Sequence, residues 1–373
     1  MQIGFDAKRL FLNQTGLGNY SRFIVDSLLH LYPENNYLLF TPKTRKSAQT
    51  EHYFEHPNIQ VIQPKGIWKL PILNSFWRSF LIGTTKEAQQ LTIYHGLSHE
   101  LPSGLPKHVK KVLTVHDVIF LRNPELFNPI DVWIYKQKLK SACRQADKIV
   151  AISLQTKHDL MDYFDVSEDK IHVIYQGCHE QFLAKKSDEE LSEIKEKYHL
   201  PSHYLLNVGS IEKRKNVGIL VEALAHIEEK DRPHLVLVGK KTAYIDKVNE
   251  LIEQHQLKDF VHFIHQADFR DLPAIYQQAQ AFTYASNIEG FGIPILEAMV
   301  SQIPVLVPNV SCFDEVVGPD GVFYKQGDIS DLTEKIKKIL TGDNRDLIAY
   351  QKKYSERFFE NSVKKLFEEV YNS

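Results

Sequence analysis

Cysteine is scarce in this chain, and so are one-sided charge and long apolar runs. The 373 residues hold three cysteines, Cys143, Cys178 and Cys312, widely spaced and without a C-x-x-C pair. That set excludes a disulfide-stapled scaffold and a cysteine zinc knuckle, and points to reduced thiols in a cytoplasmic setting. The formal net charge is -2, with 45 Lys and Arg against 47 Asp and Glu. A chain so balanced lacks the signature of a bulk nucleic-acid binder, and no nucleic-acid partner is expected. No apolar run approaches the ~18–20 residues of a membrane-spanning helix. The opening Met1-Gln2-Ile3-Gly4-Phe5-Asp6 carries neither the basic nor the apolar region of a signal peptide and reads as a first strand. Repeats and low-complexity stretches are missing as well.

What is present is alternation. Short apolar runs at Gln2–Phe5, Tyr37–Phe40, Ile59–Ile62, Leu91–Tyr94, Val112–Val115, Lys148–Ile152 and His172–Ile174 read as strands. Helix-length segments lie between several of them, at Leu17–Leu31, Phe76–Gln89, Pro129–Gln145 and Ser153–Tyr163. The pattern restarts with strands at Tyr204–Val208, Leu235–Val238, Val261–Ile264, Ala281–Tyr284, Val305–Val307 and Val322–Tyr324, and helices near Asn216–Glu228, Thr242–Gln254, Asp271–Gln278, Ile293–Val300 and Ser330–Leu340. Such alternation implies α/β domains with parallel sheets covered on both faces. The Lys-, Glu- and Ser-rich stretch Ala184–Leu200 marks the break. The expected domains are 1–183 and 184–356, with 357–373 a terminal helix carrying Phe358, Val363, Phe367 and Val370 on one stripe. Two such domains imply a ligand cleft between the carboxyl ends of their sheets.

Four segments carry chemistry. After the strand at Ala281–Tyr284 comes Ser286-Asn287-Ile288-Glu289-Gly290-Phe291-Gly292-Ile293-Pro294-Ile295-Leu296-Glu297-Ala298-Met299. Its glycines let the backbone approach a ligand, Pro294 suits the first turn of a helix, and the free amides of that turn suit a phosphate. Glu289 and Glu297 are expected to line one pocket at different depths and to accept bonds from hydroxyls. In Asn207-Val208-Gly209-Ser210-Ile211-Glu212-Lys213-Arg214-Lys215-Asn216, a strand end, a glycine and a basic cluster lead to Asn216, expected as a helix cap. Arg214 and Lys215 stand where cations clamp a diphosphate and favour its departure. His116, in Thr114-Val115-His116-Asp117-Val118, sits at a strand's carboxyl end, suited to a sugar hydroxyl or a proton; Asp117 reads as a loop stabiliser. The Gly16-Leu17-Gly18 turn lacks the third glycine of a dinucleotide fingerprint, since Ser21 stands there, so NAD is not expected. The histidines of His95-Gly96-Leu97-Ser98-His99 serve either an acceptor or a packed loop.

The segment E-G-F-G-x-P-x-L-E-A-M resembles the E-x7-E motif of retaining GT-B glycosyltransferases of family 4. V-G-x-x-x-x-R-K-N, and H-D-x-x-F-x-x-x-P-E from His116 onward, are similar to elements of the same family, in the same order along nearly the whole chain. The resemblance implies two facing Rossmann-like domains with the terminal helix crossing back to the first. It also implies transfer of a sugar from a nucleotide diphosphate to a hydroxyl of a glycan or lipid-linked acceptor, with retention. It assigns Glu289 to the donor sugar hydroxyls, Glu297 to the ribose, and Gly290, Phe291 and Gly292 to backbone donation. His116 falls near the anomeric centre, Arg214, Lys215, Gly209 and Ser210 at the diphosphate, and Gly16 and Gly18 in a loop approaching donor or acceptor. Many members carry arginine where Ser210 stands, which shifts phosphate neutralisation onto Arg214 and Lys215. G-S-I-E-K-R-K-N is similar to mannosyltransferase sequences and tilts the donor towards GDP-mannose over UDP-sugars. No Asp-x-Asp occurs, so no metal and no cofactor are expected. The stretch Trp68–Leu81, aromatic and basic, suits either a bilayer surface or the core of the first domain. The rivals are an epimerase or phosphorylase of similar architecture, and a non-catalytic sugar-nucleotide-binding protein.

Overall fold

The computed structural model describes residues 1–373, apart from the side chains of Pro71 and Ile72. The chain divides into two compact units, Met1–Gly177 together with Phe358–Ser373, and Cys178–Arg357. The first contains β1 Gln2–Asp6, β2 Asn36–Phe40, β3 Ile59–Ile62, β4 Ile93–Gly96, β5 Lys110–Val115, β6 Lys148–Ala151 and β7 Ile171–Val173. They lie in the order β3-β2-β1-β4-β5-β6-β7, all parallel. The second contains β8 Tyr204–Val208, β9 His234–Val238, β10 Val261–Ile264, β11 Ala281–Thr283, β12 Val305–Pro308 and β13 Val322–Tyr324, ordered β10-β9-β8-β11-β12-β13 and again all parallel. Parallel strands are covered by crossover helices on both faces, which is why Ile3, Phe5, Leu205, Leu206, Leu235 and Val236 are all fully buried. In each sheet the order reverses beside the first strand, opening a crevice at the strands' carboxyl ends. These crevices are where ligand-binding loops gather.

Several local expectations change. The helix expected over Phe76–Gln89 is instead a helix Pro71–Phe76, a wider π-type turn Trp77–Leu81 and short 3-10 turns at Ile82–Thr84 and Ala88–Gln90. The helical run stops where Thr85 turns extended, at ψ 149°, and there the Thr84 and Thr85 hydroxyls donate back to the Leu81 and Ile82 carbonyls, both at 2.8 Å. The chain enters the second unit earlier than the boundary expected at 183, since Phe182 packs edge-on against Phe269 and Tyr276. Within Ala184–Leu200 the helix Asp188–Lys197 starts at a full capping box between Ser187 and Glu190. The tail is not one helix. It is a turn Glu356–Phe358, a helix Glu360–Leu366 and a π-type turn Phe367–Tyr371, with Phe358, Val363, Phe367 and Val370 all buried.

Candidate active site

In the second unit, β8 and β11 are neighbours at the point of reversal, tied where the Asn207 side chain donates to the Thr283 carbonyl at 2.7 Å. The loops leaving their carboxyl ends therefore start side by side. Past β8 the chain makes a turn over Lys213–Lys215 and closes it with Asn216 at φ 48°. Asn216 is thus not the N-cap expected of it. It takes the left-handed conformation that Asn tolerates, and the helix Gly218–Ala225 begins after Val217 without a side-chain cap. The Asn287 amide donates to the Arg214 carbonyl at 3.0 Å, joining the loops.

This joint brings Arg214, Lys215 and Glu289 together. One Arg214 nitrogen donates to the Ile288 carbonyl at 2.7 Å and pairs with Glu289 Oε2 at 2.9 Å, while the other pairs with Glu212 at 3.1 Å. Lys215 pairs with Glu289 Oε1 and donates to the Tyr284 hydroxyl at 2.7 Å. The Ser286 hydroxyl donates to the same carboxylate at 2.6 Å and that of Tyr284 at 3.1 Å. Burial pushes the Glu289 carboxyl up, but Lys215 and Arg214 outweigh it and hold the group at about 2. Glu289 is ionised throughout the physiological range. Two cations here face Glu289 and Glu212, so the cluster is neutral by itself, and an incoming anion has to share or take over the cations' partners. Ser210 joins through a 2.9 Å bond to Glu212. Gly209 lies against β9, its amide bonded to the Val238 carbonyl at 2.9 Å.

Beyond Glu289, the loop Gly290-Phe291-Gly292 leads into the helix Ile293–Val300, with Pro294 in its first turn. Gly292 has φ 103°, a left-handed backbone that a side chain would strain, and a Cβ there would press on the Ile295 side chain at 2.9 Å. Among the described residues, the Gly290 and Gly292 amides bond to no protein group. Glu297 is not part of the Glu289 cluster. The residue is 5% exposed, and its carboxyl accepts from the Tyr276 hydroxyl at 2.8 Å. Burial pushes it up to about 7 despite that bond. The two glutamates therefore sit in opposite electrostatic surroundings, one fully charged and one half-protonated near neutrality.

The remaining candidates lie in the first unit. Gly16 opens the helix Gly16–Leu31 and Gly18 follows in its first turn. A Cβ on Gly18 would run into the Asn13 carbonyl, so glycine lets the loop fold tightly onto the helix start. Arg22 locks that turn by donating to the Leu10 and Asn13 carbonyls at 2.8 and 3.0 Å. His116 follows β5 and is 5% exposed. Its Nε2 lies 2.8 Å from the Leu97 carbonyl; a carbonyl only accepts, so the proton sits on Nε2 and Nδ1 keeps its lone pair. Burial, with His99 nearby, lowers His116 to about 3, so it is neutral. Asp117 accepts from the Ile119 amide at 3.2 Å. His95 lies within β4 and His99 in the packed loop that follows it. His95 bridges the Tyr371 and Thr114 hydroxyls at 2.6 and 2.7 Å, and His99 Nε2 accepts from the His116 amide at 2.7 Å.

Sequence reasoning missed Tyr276, Tyr284, Ser286 and Glu212. Tyr284 and Ser286 directly follow β11 on the segment that leads to Glu289, and their alternate spacing was within reach of the sequence. Tyr276, on the helix Leu272–Gln277, meets Glu297 only through tertiary packing.

A helix start with open amides at the switch point of a parallel sheet, beside paired cations and an ionised carboxylate, suits an anionic ligand rich in hydroxyls. Comparison with known proteins gives that ligand class a family. Residues 188–358 match the family model "Glycosyl transferases group 1" and residues 34–182 match "Glycosyltransferase Family 4". O-antigen chain mannosyltransferase B of Escherichia coli is 31% identical over 361 residues, 92% of each chain. O-antigen chain mannosyltransferase RfbU of Salmonella typhimurium is 27% identical over 235 residues, 63% of this chain and 62% of that protein. Among solved structures, a glycosyltransferase from Rickettsia africae aligns over 100% of this chain and 99% of its own, with TM-score 0.76 and 21% identity. HepE of Anabaena, crystallised with UDP and glucose, aligns over 100% and 99% with TM-score 0.74 and 18% identity. The chain belongs to the group 1, family 4 glycosyltransferases. Its two Rossmann-like units are those of the GT-B fold.

Proposed function

We propose that the chain transfers a hexose, with mannose from GDP-mannose favoured over a UDP-sugar, to a hydroxyl of a glycan or lipid-linked acceptor with retention of configuration. The observation that carries this is the convergence of Arg214, Lys215 and Glu289 beside the open Gly290 and Gly292 amides. Cations and amides take the diphosphate, and the ionised Glu289 orients sugar hydroxyls. Glu297 takes the ribose. In the first unit, neutral His116 keeps an accepting lone pair on Nδ1, suited to a sugar hydroxyl. The mannose preference is supported by the names of the relatives that are 31% and 27% identical. Charge on the leaving group is met by Arg214 and Lys215 without a metal, so a chelator is expected to leave turnover intact. Acceptor deprotonation by the departing phosphate, with attack on the same face, accounts for retention without a covalent glycosyl-enzyme.

A thermal-shift panel of GDP-, UDP-, ADP- and dTDP-sugars tests the donor, because a specific ligand stabilises the fold by mass action. GDP-mannose is expected to give the largest shift, and NMR of the product to show the donor's anomeric configuration. A larger UDP-sugar shift sinks the donor assignment, and an inverted product sinks retention.

The reading extends to a bilayer contact through 68–81. No helix among the described residues is long and apolar enough to cross a membrane. Phe76 and Phe80 are 46% and 51% exposed, and Trp68 stacks on Phe76 with ring centres 5.8 Å apart. Trp77, by contrast, is core, packed with Leu38, Phe40 and Ile82. The side chains of Pro71 and Ile72 lie outside the described residues. Co-sedimentation with anionic liposomes, lost on Phe76→Glu with Phe80→Glu, is the expected outcome; no sedimentation of the wild type removes the contact.

A further inference from the structure

A peptide plane points its carbonyl and its following amide in opposite directions. In the loop before the helix Ile293–Val300, two carbonyls are held from one side. The Ser311 hydroxyl donates to the Glu289 carbonyl at 2.8 Å. The Cys312 thiol lies 3.5 Å from that oxygen and 3.3 Å from the Phe291 carbonyl. The amides belonging to those same two peptides are Gly290 and Gly292, the ones without a protein partner among the described residues. Pinning the carbonyls on the Ser311–Cys312 side turns both amides the other way.

The segment that does the pinning is unusual in its own right. Ser311 sits at φ 55°, a left-handed conformation that costs a non-glycine residue energy and persists only where surroundings enforce it. Cys312 is fully buried, and its backbone caps the short helix Phe313–Val317. The chain thus spends local strain to place a hydroxyl and a thiol under the loop.

We propose that Ser311 and Cys312 are positioning residues that aim the Gly290 and Gly292 amides at the diphosphate of the nucleotide-sugar donor. This rests on the donor site proposed above. Loss of either tether frees a peptide to rotate, so donor binding weakens while the fold persists.

Three variants test it: Ser311→Gly, which removes the hydroxyl and relieves the backbone; Cys312→Ala, which removes the thiol; and Cys312→Ser, which keeps a donor there. Ser311→Gly and Cys312→Ala are each expected to raise the donor KM about fivefold, the worth of one neutral hydrogen bond. The acceptor KM stays unchanged, and Ser311→Gly keeps its thermal stability. Cys312→Ser is expected to restore the donor KM. A wild-type donor KM in both Ser311→Gly and Cys312→Ala overturns the tether and leaves the donor site standing. A Cys312→Ala defect that tracks lost stability and is not rescued by serine also overturns it. A wild-type chain inert towards every nucleotide sugar overturns the donor site instead, and the tether falls with it.

Discussion

Glu289 is held at about 2 by Lys215 and Arg214, and this sets up a trade. In the unliganded protein the carboxylate offsets the cost of keeping Arg214 and Lys215 partly buried, at 22% and 12% side-chain exposure. Glu289→Gln keeps the shape and removes the charge. Breaking a buried pair from one side strands the partner, so the variant is expected to lose about 2–3 kcal/mol of stability without ligand. At the donor site proposed here, a nucleoside diphosphate would supply the missing negative charge. The thermal shift on adding GDP is therefore expected to be larger for Glu289→Gln than for wild type, while turnover drops by about two orders of magnitude. Calorimetric melts with and without GDP decide the matter. A variant with wild-type stability and a smaller GDP shift would show that the cations do not depend on Glu289.

Between elements, the contact to watch joins the helices Leu272–Gln277 and Ile293–Val300 through Tyr276 and Glu297. Burial moves Glu297 from its ordinary 4.5 to about 7. Between those values the folded chain still holds a proton that the unfolded chain has released, so this group's contribution to stability falls as pH rises from about 4.5 to 7. The whole displacement corresponds to about 3 kcal/mol. Urea unfolding of wild type and Glu297→Gln at pH 5 and pH 8 is expected to show the variant gaining relative stability only at the higher pH; parallel curves contradict it. The same pair shows what sequence could reveal. The strands were legible because a parallel strand buried on both faces is an apolar run, and Glu289, Arg214 and Lys215 were legible because each lies on a loop of recognisable form. The helix Arg345–Ser355 was not read, although Leu347, Tyr350 and Tyr354 recur at helical spacing, because the residues it buries fully are the polar Gln351 and Ser355. Tyr276 escaped because nothing local ties it to Glu297.

At the scale of the whole chain, the N-terminal unit is finished by the last residues of the sequence. Phe358, Val363, Leu366 and Val370 are fully buried, Phe367 stacks on Tyr32 at 3.6 Å between ring centres, and the Tyr371 hydroxyl meets His95 at 2.6 Å. Lys110 donates to the Val370 and Tyr371 carbonyls at 3.1 and 3.2 Å. Large apolar side chains are worth about 1.5–3 kcal/mol each when buried. Removing this set takes away an amount comparable with a domain's whole usual margin of about 5–15 kcal/mol. The C-terminal unit has its own core around Leu220, Leu235, Val248 and Ile336. A chain ending at Arg357 is therefore expected to lose protease resistance across 1–177 while 178–357 survives as a resistant fragment that GDP still stabilises. Tyr371→Phe is the milder version: it leaves one nitrogen of the buried His95 without its partner and is expected to cost about 1–3 kcal/mol in the N-terminal unit alone. Limited proteolysis read by mass spectrometry separates the units. Equal resistance of both halves in the truncated chain would mean that the tail is a cover the first unit can do without, and a GDP shift lost along with the tail would mean that the second unit does not hold its nucleotide unaided.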